Sequence, residues 1–213
     1  MFVLSRMQDV VRIAPHEMGL DMQTALTRAL NKKLSNKVFI DVGLCIALYD
    51  FEKIHESFIL PNDGASHTKV QFRMCVFCPF VDEIIVGRVR ANSRAGVHVT
   101  LEYFDDILVP ADKLPTPSRF DESEQVWYWE YADDEDATSA PAKLYLDAGK
   151  QVRFRVVELR FIDTAPTGAP TADNTETQDT NKPTPLTIIA TMGESGLGCL
   201  DWWAPEAEPH ANT

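Results

Sequence analysis

The sequence has no long hydrophobic run. None of its apolar stretches approaches the roughly 20 residues that a membrane-spanning helix requires. The apolar run at the start of the chain is also too short for a signal peptide. We therefore expect a soluble intracellular protein without a membrane partner.

Cysteine is scarce as well. The chain has four cysteines, mostly in apolar, strand-like surroundings, which favours buried free thiols over a disulfide framework: Cys45, Cys75, Cys78 and Cys199. Cys75 and Cys78 have the Cys-x-x-Cys spacing, but residues three apart on an extended strand face opposite sides, and no second pair lies nearby. Zinc or redox chemistry is therefore not expected.

Catalytic motifs are missing from the sequence. It contains no phosphate loop and no His-Glu-x-x-His pattern, and its five histidines have no ligand spacing. The glycines Gly193, Gly196 and Gly198 are wrongly spaced for a nucleophile elbow or a dinucleotide fingerprint. We predict no catalytic activity and no cofactor for this chain.

Acidic charge is concentrated in the C-terminal part of the chain. Residues 1–120 carry 14 Lys+Arg and 14 Asp+Glu, whereas residues 121–213 carry 6 and 18, so residues 121–213 hold the whole net charge of −12. The acidic stretches at about 132–142 and 164–185 are predicted to be disordered insertions. A modest basic patch is predicted within residues 66–94, where five cations face two carboxylates: Lys69, Arg73, Arg88, Arg90 and Arg94 against Asp82 and Glu83.

Residues 1–80 are predicted to form an α+β module, an antiparallel sheet packed by one main helix. Residues 2–13 are typical of a strand, which Pro15 ends. An apolar residue recurs every fourth position and predicts a helix of about four turns, starting near Gly19 or Asp21, with this stripe: Met18, Met22, Leu26, Leu30 and Leu34. Further strands are predicted at 38–50, 57–60 and 70–77.

Residues 81–204 are predicted to form a second, all-β module, followed by a flexible tail at 205–213. Strands are predicted at 83–91, 97–103, 107–109, 125–131, 143–146, 152–161 and 186–192, and their close spacing indicates a small barrel. Trp127, Trp129 and Tyr131 share one strand face. Such a row can stack bases, or it can pack across strands.

Several sequence motifs, in order through both modules, resemble the larger stalk subunit of archaeal and eukaryotic RNA polymerases. The resemblance is specific to the RNA polymerase III branch, the eukaryotic counterpart of the larger archaeal stalk protein, and covers essentially the whole chain. It lies in these runs: Leu30-Asn31-Lys32-Lys33-Leu34, Asn36-Lys37-Val38, Val42-Gly43-Leu44-Cys45, Asp63-Gly64-Ala65-Ser66-His67-Thr68-Lys69-Val70, Phe104-Asp105-Asp106-Ile107-Leu108, Phe120-Asp121-Glu122 and Trp202-Trp203.

The resemblance implies that the first module is a tip domain, which docks near the base of the polymerase clamp. The docking loop would lie at Pro61, Asn62, Asp63, Gly64 and Ala65. The alternative is an ordinary turn, in which Gly64 supplies a positive φ and Asp63 caps local amides.

The resemblance implies that the second module is an OB-fold domain near exiting RNA. The chain departs here from RNA-binding OB folds, because residues 94–99 and 108–111 lack the usual aromatics and keep only the ring of His98. The candidate RNA-facing residues are Arg88, Arg90, Arg94 and His98, although a solvated strand edge explains the same pattern. We expect weak, salt-sensitive RNA affinity.

The implied function is that of a non-catalytic RNA polymerase III subunit in the nucleus. It would form the stalk as a heterodimer with a smaller subunit and support initiation on genes for tRNA and 5S rRNA. Its further partners would be the polymerase core, nascent RNA and initiation factors. The alternative is a free-standing OB-fold RNA-binding protein of RNA processing or translation.

Overall fold

A computed structural model of the chain describes residues 1–131, 142–164 and 184–203. The described residues divide into two compact units, Met1–Pro79 with Phe161–Asp163, and those within Phe80–Arg160 and from Thr164 onward. The acidic insertions predicted at about 132–142 and 164–185 lie almost entirely outside the described residues, as does the tail 205–213. Within the described ranges, no helix is long and apolar enough to cross a membrane.

The first unit is a four-stranded antiparallel sheet packed by an α-helix. Its elements in chain order are β1 (Phe2–Ile13), a 3-10 helix (Pro15–Glu17), α1 (Met22–Leu34), β2 (Val38–Phe39), β3 (Gly43–Ile59) and β4 (Ser66–Phe77). The strands lie in the order β1-β4-β3-β2, and each neighbouring pair is antiparallel. The predicted α+β fold is confirmed, and β1 has the predicted bounds.

Helix α1 is shorter at its start than the apolar stripe predicts. The Asp21 carboxylate accepts the Thr24 backbone N–H at 3.2 Å, an N-cap that begins the helix at Met22. Met18 therefore lies outside the helix, and both Met18 and Met22 are exposed. The rest of the stripe and the neighbouring Ala25 are buried against the sheet. These four helix residues build the core with seven strand residues: Ala25, Leu26, Leu30 and Leu34 with Val11, Ile13, Cys45, Val70, Phe72, Met74 and Val76.

Strand β3 differs from the prediction of separate strands at 38–50 and 57–60. It runs without a break over 17 residues, and its pairing with β4 shifts register at four places between Cys45 and Ser57. Each bulge inserts a residue and interrupts the alternation of apolar and polar positions, which hides the strand in the sequence. Strand β4 also starts earlier than predicted, at Ser66 rather than at Val70.

The second unit contains a closed barrel of five strands and a smaller sheet. The strands of this unit are β5 (Ile84–Ser93), β6 (Gly96–Thr100), β7 (Ile107–Pro110), β8 (Ser118–Asp121), β9 (Val126–Tyr131), β10 (Ala142–Tyr145), β11 (Gln151–Phe161), β12 (Leu186–Thr191) and β13 (Gly198–Cys199), with 3-10 helices at Ala111–Lys113 and Leu200–Trp203. The barrel strands lie in the order β12-β7-β6-β5-β11, and β12 also pairs with β11, which closes the barrel. This confirms the predicted OB-type barrel.

Strands β8, β9 and β10 form a separate three-stranded sheet, and the aromatic row lies on it. Trp127 is buried and its indole N–H donates to the carbonyl of Ser93 at 2.8 Å. The rings of Tyr131 and Trp202 lie 5.2 and 5.5 Å from Trp129. The row therefore packs between elements, as one of the two interpretations of the sequence proposed. Strands β8 and β13 were not predicted.

Candidate functional site

The loop at residues 61–65 joins β3 to β4 in the first unit. Pro61, Asn62 and Gly64 are exposed, whereas Ala65 is completely buried. Asn62 and Gly64 have φ angles of 72° and 65°, in the left-handed region that Asn and Gly tolerate best. The loop is thus a tight turn. It exposes the side chains of Pro61 and Asn62 and the backbone of Gly64, and the buried side chain of Ala65 anchors it.

The side chain of Asp63 does not cap local amides as the ordinary-turn interpretation proposed. Its two carboxylate oxygens accept from the Arg12 guanidinium, with Nη2 at 2.6 Å and Nε at 3.0 Å. The ring Nε2 of His67 lies 2.7 Å from Oδ2, and it donates because an ionised carboxylate only accepts. One carboxylate therefore joins the end of β1, the loop and the start of β4.

This cluster has a clear electrostatic effect. The hydrogen bonds from Arg12 and then from His67 hold the pKa of the Asp63 carboxyl well below its usual range. In return, Asp63 raises the pKa of the Arg12 guanidinium above its ordinary value. Asp63 is therefore ionised at neutral pH, and its negative charge is paired with Arg12 and His67, which holds the loop in place.

Arg88 and Arg90 lie on the outward side of β5, where residues alternate between exposed and buried. Arg88 pairs with Thr100 of β6, and a register shift between Val89 and Ala91 places the extra residue Arg90 on the same side. His98 of β6 pairs with Ala91 and so also faces outward. The structure brings these three predicted residues to one surface of the barrel.

The partners of the predicted residues differ. Arg90 lies 3.6 Å from Asp105, and His98 Nε2 lies 3.2 Å from the hydroxyl of Ser93. Arg88 has no carboxylate within 4.0 Å among the residues that the structure describes. The fourth residue, Arg94, belongs to the turn between β5 and β6, where its guanidinium donates to Glu122 at 2.8 Å.

Two further arginines lie on this outward side and were not assigned to it from the sequence. Arg153 and Arg155 of β11 pair with Val86 and Ile84 of β5. Arg153 donates to the carbonyl of Gly196 at 3.3 Å, and Arg155 lies 2.7 Å from Glu194. Their alternation with Val152 and Phe154 in the sequence indicates an outward-facing side of a strand. The sequence does not indicate that this strand pairs with β5, and so it does not place Arg153 and Arg155 beside Arg88 and Arg90.

The outward surface of β5, β6 and β11 thus carries an arginine strip, defined as Arg88, Arg90, Arg153 and Arg155. Ile84 and Val86, which are about half exposed, lie on β5 beside Arg155 and Arg153. Since two of the four guanidinium groups pair with carboxylates, the strip is only partly neutralised. Guanidinium groups at such a surface can bind phosphates, and the aliphatic side chains offer little for base stacking.

The cysteines offer no comparable site. None of the four, all of them described residues, forms a disulfide; Cys45 and Cys199 are buried, and Cys75 and Cys78 are half-buried. Burial raises the pKa of the Cys45 and Cys199 thiols, which makes them poor nucleophiles. In the part of the chain that the structure describes, no group of three or more His, Cys, Asp or Glu side chains could hold a metal ion.

Comparisons with known proteins match both units. A family model described as "SHS2 domain found in N terminus of Rpb7p/Rpc25p/MJ0397" matches residues 8–64. A second family model, described as "RNA polymerase III subunit Rpc25", matches residues 83–203. The second match spans more than half of the chain and includes all five barrel strands.

Curated relatives align along nearly the whole chain. The DNA-directed RNA polymerase III subunit RPC8 of Bos taurus is 48% identical over 205 residues, which cover 95% of this chain and 98% of that protein. The corresponding subunits of Schizosaccharomyces pombe and Saccharomyces cerevisiae are 36% and 33% identical, and each alignment covers 95% of this chain and 100% of the relative. These matches confirm the resemblance found in the sequence. The chain belongs to the family of the RNA polymerase III subunit Rpc25, a family of polymerase stalk subunits.

Proposed function

We propose that this chain is a non-catalytic subunit of RNA polymerase III, which forms the stalk of the enzyme together with a smaller partner subunit. The observation that carries this proposal is the match to polymerase III subunits over 95% of the chain. A eukaryotic enzyme of this class works in the nucleus, so we place the chain there. Its role is to support initiation on genes for tRNA and 5S rRNA, with contacts to initiation factors.

Affinity purification of the tagged chain tests this proposal. The expected result is a stoichiometric small partner together with the polymerase III subunits. The alternative, a free-standing OB-fold protein of RNA processing or translation, would give a monomer associated with RNA and without polymerase subunits. A polymerase depleted of this chain should start fewer transcripts on a tRNA gene and elongate them at a normal rate.

In this proposal, the loop at residues 61–65 docks the first unit on the polymerase core near the clamp. The support is its geometry: it is exposed at Pro61, Asn62 and Gly64, tethered through Asp63, and anchored by buried Ala65. A tethered loop loses little conformational freedom on binding, which favours affinity.

Asn62→Arg tests docking by the loop. Its matched control is Gln125→Arg, because Gln125 is also an exposed residue at positive φ, 57° against 72°, and lies in the second unit. Both variants carry the same new side chain and a similar backbone cost. We expect Asn62→Arg to weaken binding to a stalk-free polymerase core at least tenfold and Gln125→Arg to leave it unchanged. Equal binding by both variants would refute docking by this loop.

The second unit, in this proposal, contacts nascent RNA through Arg88, Arg90, Arg94 and His98. Exposed, partly unpaired guanidinium groups support a contact to phosphates, and the exposed aliphatic side chains of Ile84 and Val86 on the same surface favour weak binding without base stacking. The contact then matters when the polymerase delivers RNA to it.

Crosslinking of nascent RNA to the assembled enzyme tests this contact. Arg88→Glu with Arg90→Glu should lower the crosslink to the chain severalfold. The control is Arg119→Glu with Lys143→Glu, an equal charge change at exposed positions of the sheet β8-β9-β10. An unchanged crosslink in the first double variant would remove this surface as the RNA contact.

A further inference from the structure

Arg12 lies near the end of β1, 51 residues before Asp63 in the sequence, and its Nη2 donates to the Asp63 carboxylate at 2.6 Å. Both of its donors, Nη2 and Nε, bind the Asp63 carboxylate. Such a two-point contact fixes the direction of the carboxylate as well as its distance. Arg12 was not among the residues that the sequence singled out.

Arg12 belongs to a row of side chains that crosses three strands. In the sheet register, His67 of β4 pairs with Arg12 of β1 on one side and with Phe58 of β3 on the other. The rings of Phe58 and His67 stack at 5.8 Å with an angle of 20°. Asp63 reaches back from the loop onto this row, so its carboxylate is held by two neighbouring strands of a packed sheet.

The backbone contacts of the loop would not by themselves fix its conformation as firmly as the Asp63 carboxylate does. The Asp63 N–H reaches the Leu60 carbonyl at 3.3 Å, which is long for a hydrogen bond. Open space surrounds Gly64, where an added Cβ would meet nothing within 4 Å. The exposed part of the turn therefore depends on the Asp63 carboxylate for its orientation.

We propose that Arg12, assisted by His67, is a positioning residue for docking: it fixes residues 61–64 in the conformation that binds the polymerase core, without touching the core itself. This inference rests on the proposed docking function of the loop. The Arg12 side chain is half exposed and its ion pair lies at the surface. Such pairs add little to global stability, so its loss loosens the loop and leaves the sheet folded.

Three substitutions in the full chain, bound to its smaller partner, test the proposal. Arg12→Gln removes the charge, and Arg12→Lys keeps the charge but loses the two-point geometry. The control is Arg6→Gln, because Arg6 is an exposed arginine of the same strand with its own surface ion pair, 2.8 Å from Glu52. The readouts are affinity for a stalk-free core, amide hydrogen exchange at residues 62–65, and Tm.

We expect Arg12→Gln to weaken docking about tenfold, Arg12→Lys to weaken it less, and Arg6→Gln to match the wild type. Amide exchange at residues 62–65 should speed up in the same order, while Tm changes equally little in all three. If Arg12→Gln docks like the wild type while Asn62→Arg does not, the positioning role is wrong and docking by the loop stands. Equal losses in Arg12→Gln and Arg6→Gln would also overturn the role, and normal docking of Asn62→Arg would refute the docking function itself.

Discussion

The loop at residues 61–65 and the arginine strip are both charged surfaces, but they use charge in opposite ways. At the loop, the ionised carboxylate of Asp63 is bound by Arg12 and His67, and the exposed loop residues Pro61, Asn62 and Gly64 are uncharged. On the strip, Arg88 is exposed and without a carboxylate partner among the described residues. Charge at the loop therefore orders the backbone, whereas charge on the strip stays available to a partner.

This difference separates the two kinds of binding that we propose. An ordered turn with uncharged contacts suits one rigid partner surface, because it binds through shape with little loss of freedom. Exposed guanidinium groups suit a flexible polyanion, because they bind phosphates in any register and without regard to sequence. The first unit would fix the subunit on the enzyme, and the second would follow the transcript.

The largest expected effects come from the two cores on which these surfaces stand. Leu30 in α1 and Phe154 in β11 are completely buried. Replacing Leu30 or Phe154 with Ala should lower the free energy of unfolding by about 2–5 kcal/mol, from lost burial and the cavity left behind. Chemical denaturation of the full chain measures this.

Matched controls sharpen the test of the cores. Met22→Ala on the same helix and Val86→Ala on the barrel remove exposed side chains, so each should cost less than about 0.5 kcal/mol. A cost for Met22→Ala equal to that of Leu30→Ala would contradict the exposure of the Met22 side chain. In addition, Leu30→Ala in the first unit should weaken docking more than it lowers the RNA crosslink. Phe154→Ala in the second unit should lower the RNA crosslink more than it weakens docking.

The next largest effect is expected from salt, which should weaken RNA binding by the arginine strip more than docking by the loop. Raising the salt concentration from about 50 to 200 mM should weaken binding of single-stranded RNA to the subunit pair about tenfold, because a few phosphate contacts release their counterions. Docking on the core should change much less, since Pro61, Asn62 and Gly64 are uncharged. Fluorescence anisotropy with labelled RNA and with labelled core compares the two. Equal salt sensitivity would mean that the proposed division is wrong.

A smaller effect is expected from pH. The pKa of Asp63 is depressed in the folded protein, so its stabilising contribution is complete above the ordinary aspartate pKa of about 3.9 and is lost as the pH falls below it. The Tm difference between the wild type and Asp63→Asn should therefore be largest near neutral pH and shrink below about pH 4.

The control for this experiment is Asp41→Asn, at an exposed turn residue that also has a positive φ, 61°. Comparing the two variants at each pH removes the effect that any Asp→Asn change at a turn has on Tm. A Tm difference for Asp63→Asn that grows as the solution is acidified would show that the Arg12 and His67 contacts do not stabilise the ionised carboxylate.

Local patterns predicted most of the fold. Strand β1 was predicted with its bounds because its residues favour a strand and Pro15 ends it. The helix was predicted with its buried stripe, and its start was uncertain because capping by Asp21 depends on a side-chain contact. The bulges of β3 and the short strands β8 and β13 were missed because pairing, rather than local alternation, creates them.

The candidate sites were harder to predict, because sheet register decides them. Arg88, Arg90 and His98 lie on neighbouring strands joined by a short turn, so the sequence alone could predict that they share one surface. Arg153 and Arg155 lie on β11, far along the chain, and only its pairing with β5 brings them to that surface. The contact between Arg12 and Asp63 spans 51 residues, and nothing in either segment alone indicates the other.

Photo-crosslinking in the assembled polymerase tests the central claim most directly. A photoreactive amino acid replaces Asn62 in one preparation, Arg90 in a second and Gln125 in a third, as a control on an exposed turn. We expect position 62 to crosslink to a core subunit, position 90 to nascent RNA and position 125 to neither. A crosslink from position 62 to RNA, or its failure to reach any core subunit, would contradict the division of docking and RNA contact between the two units.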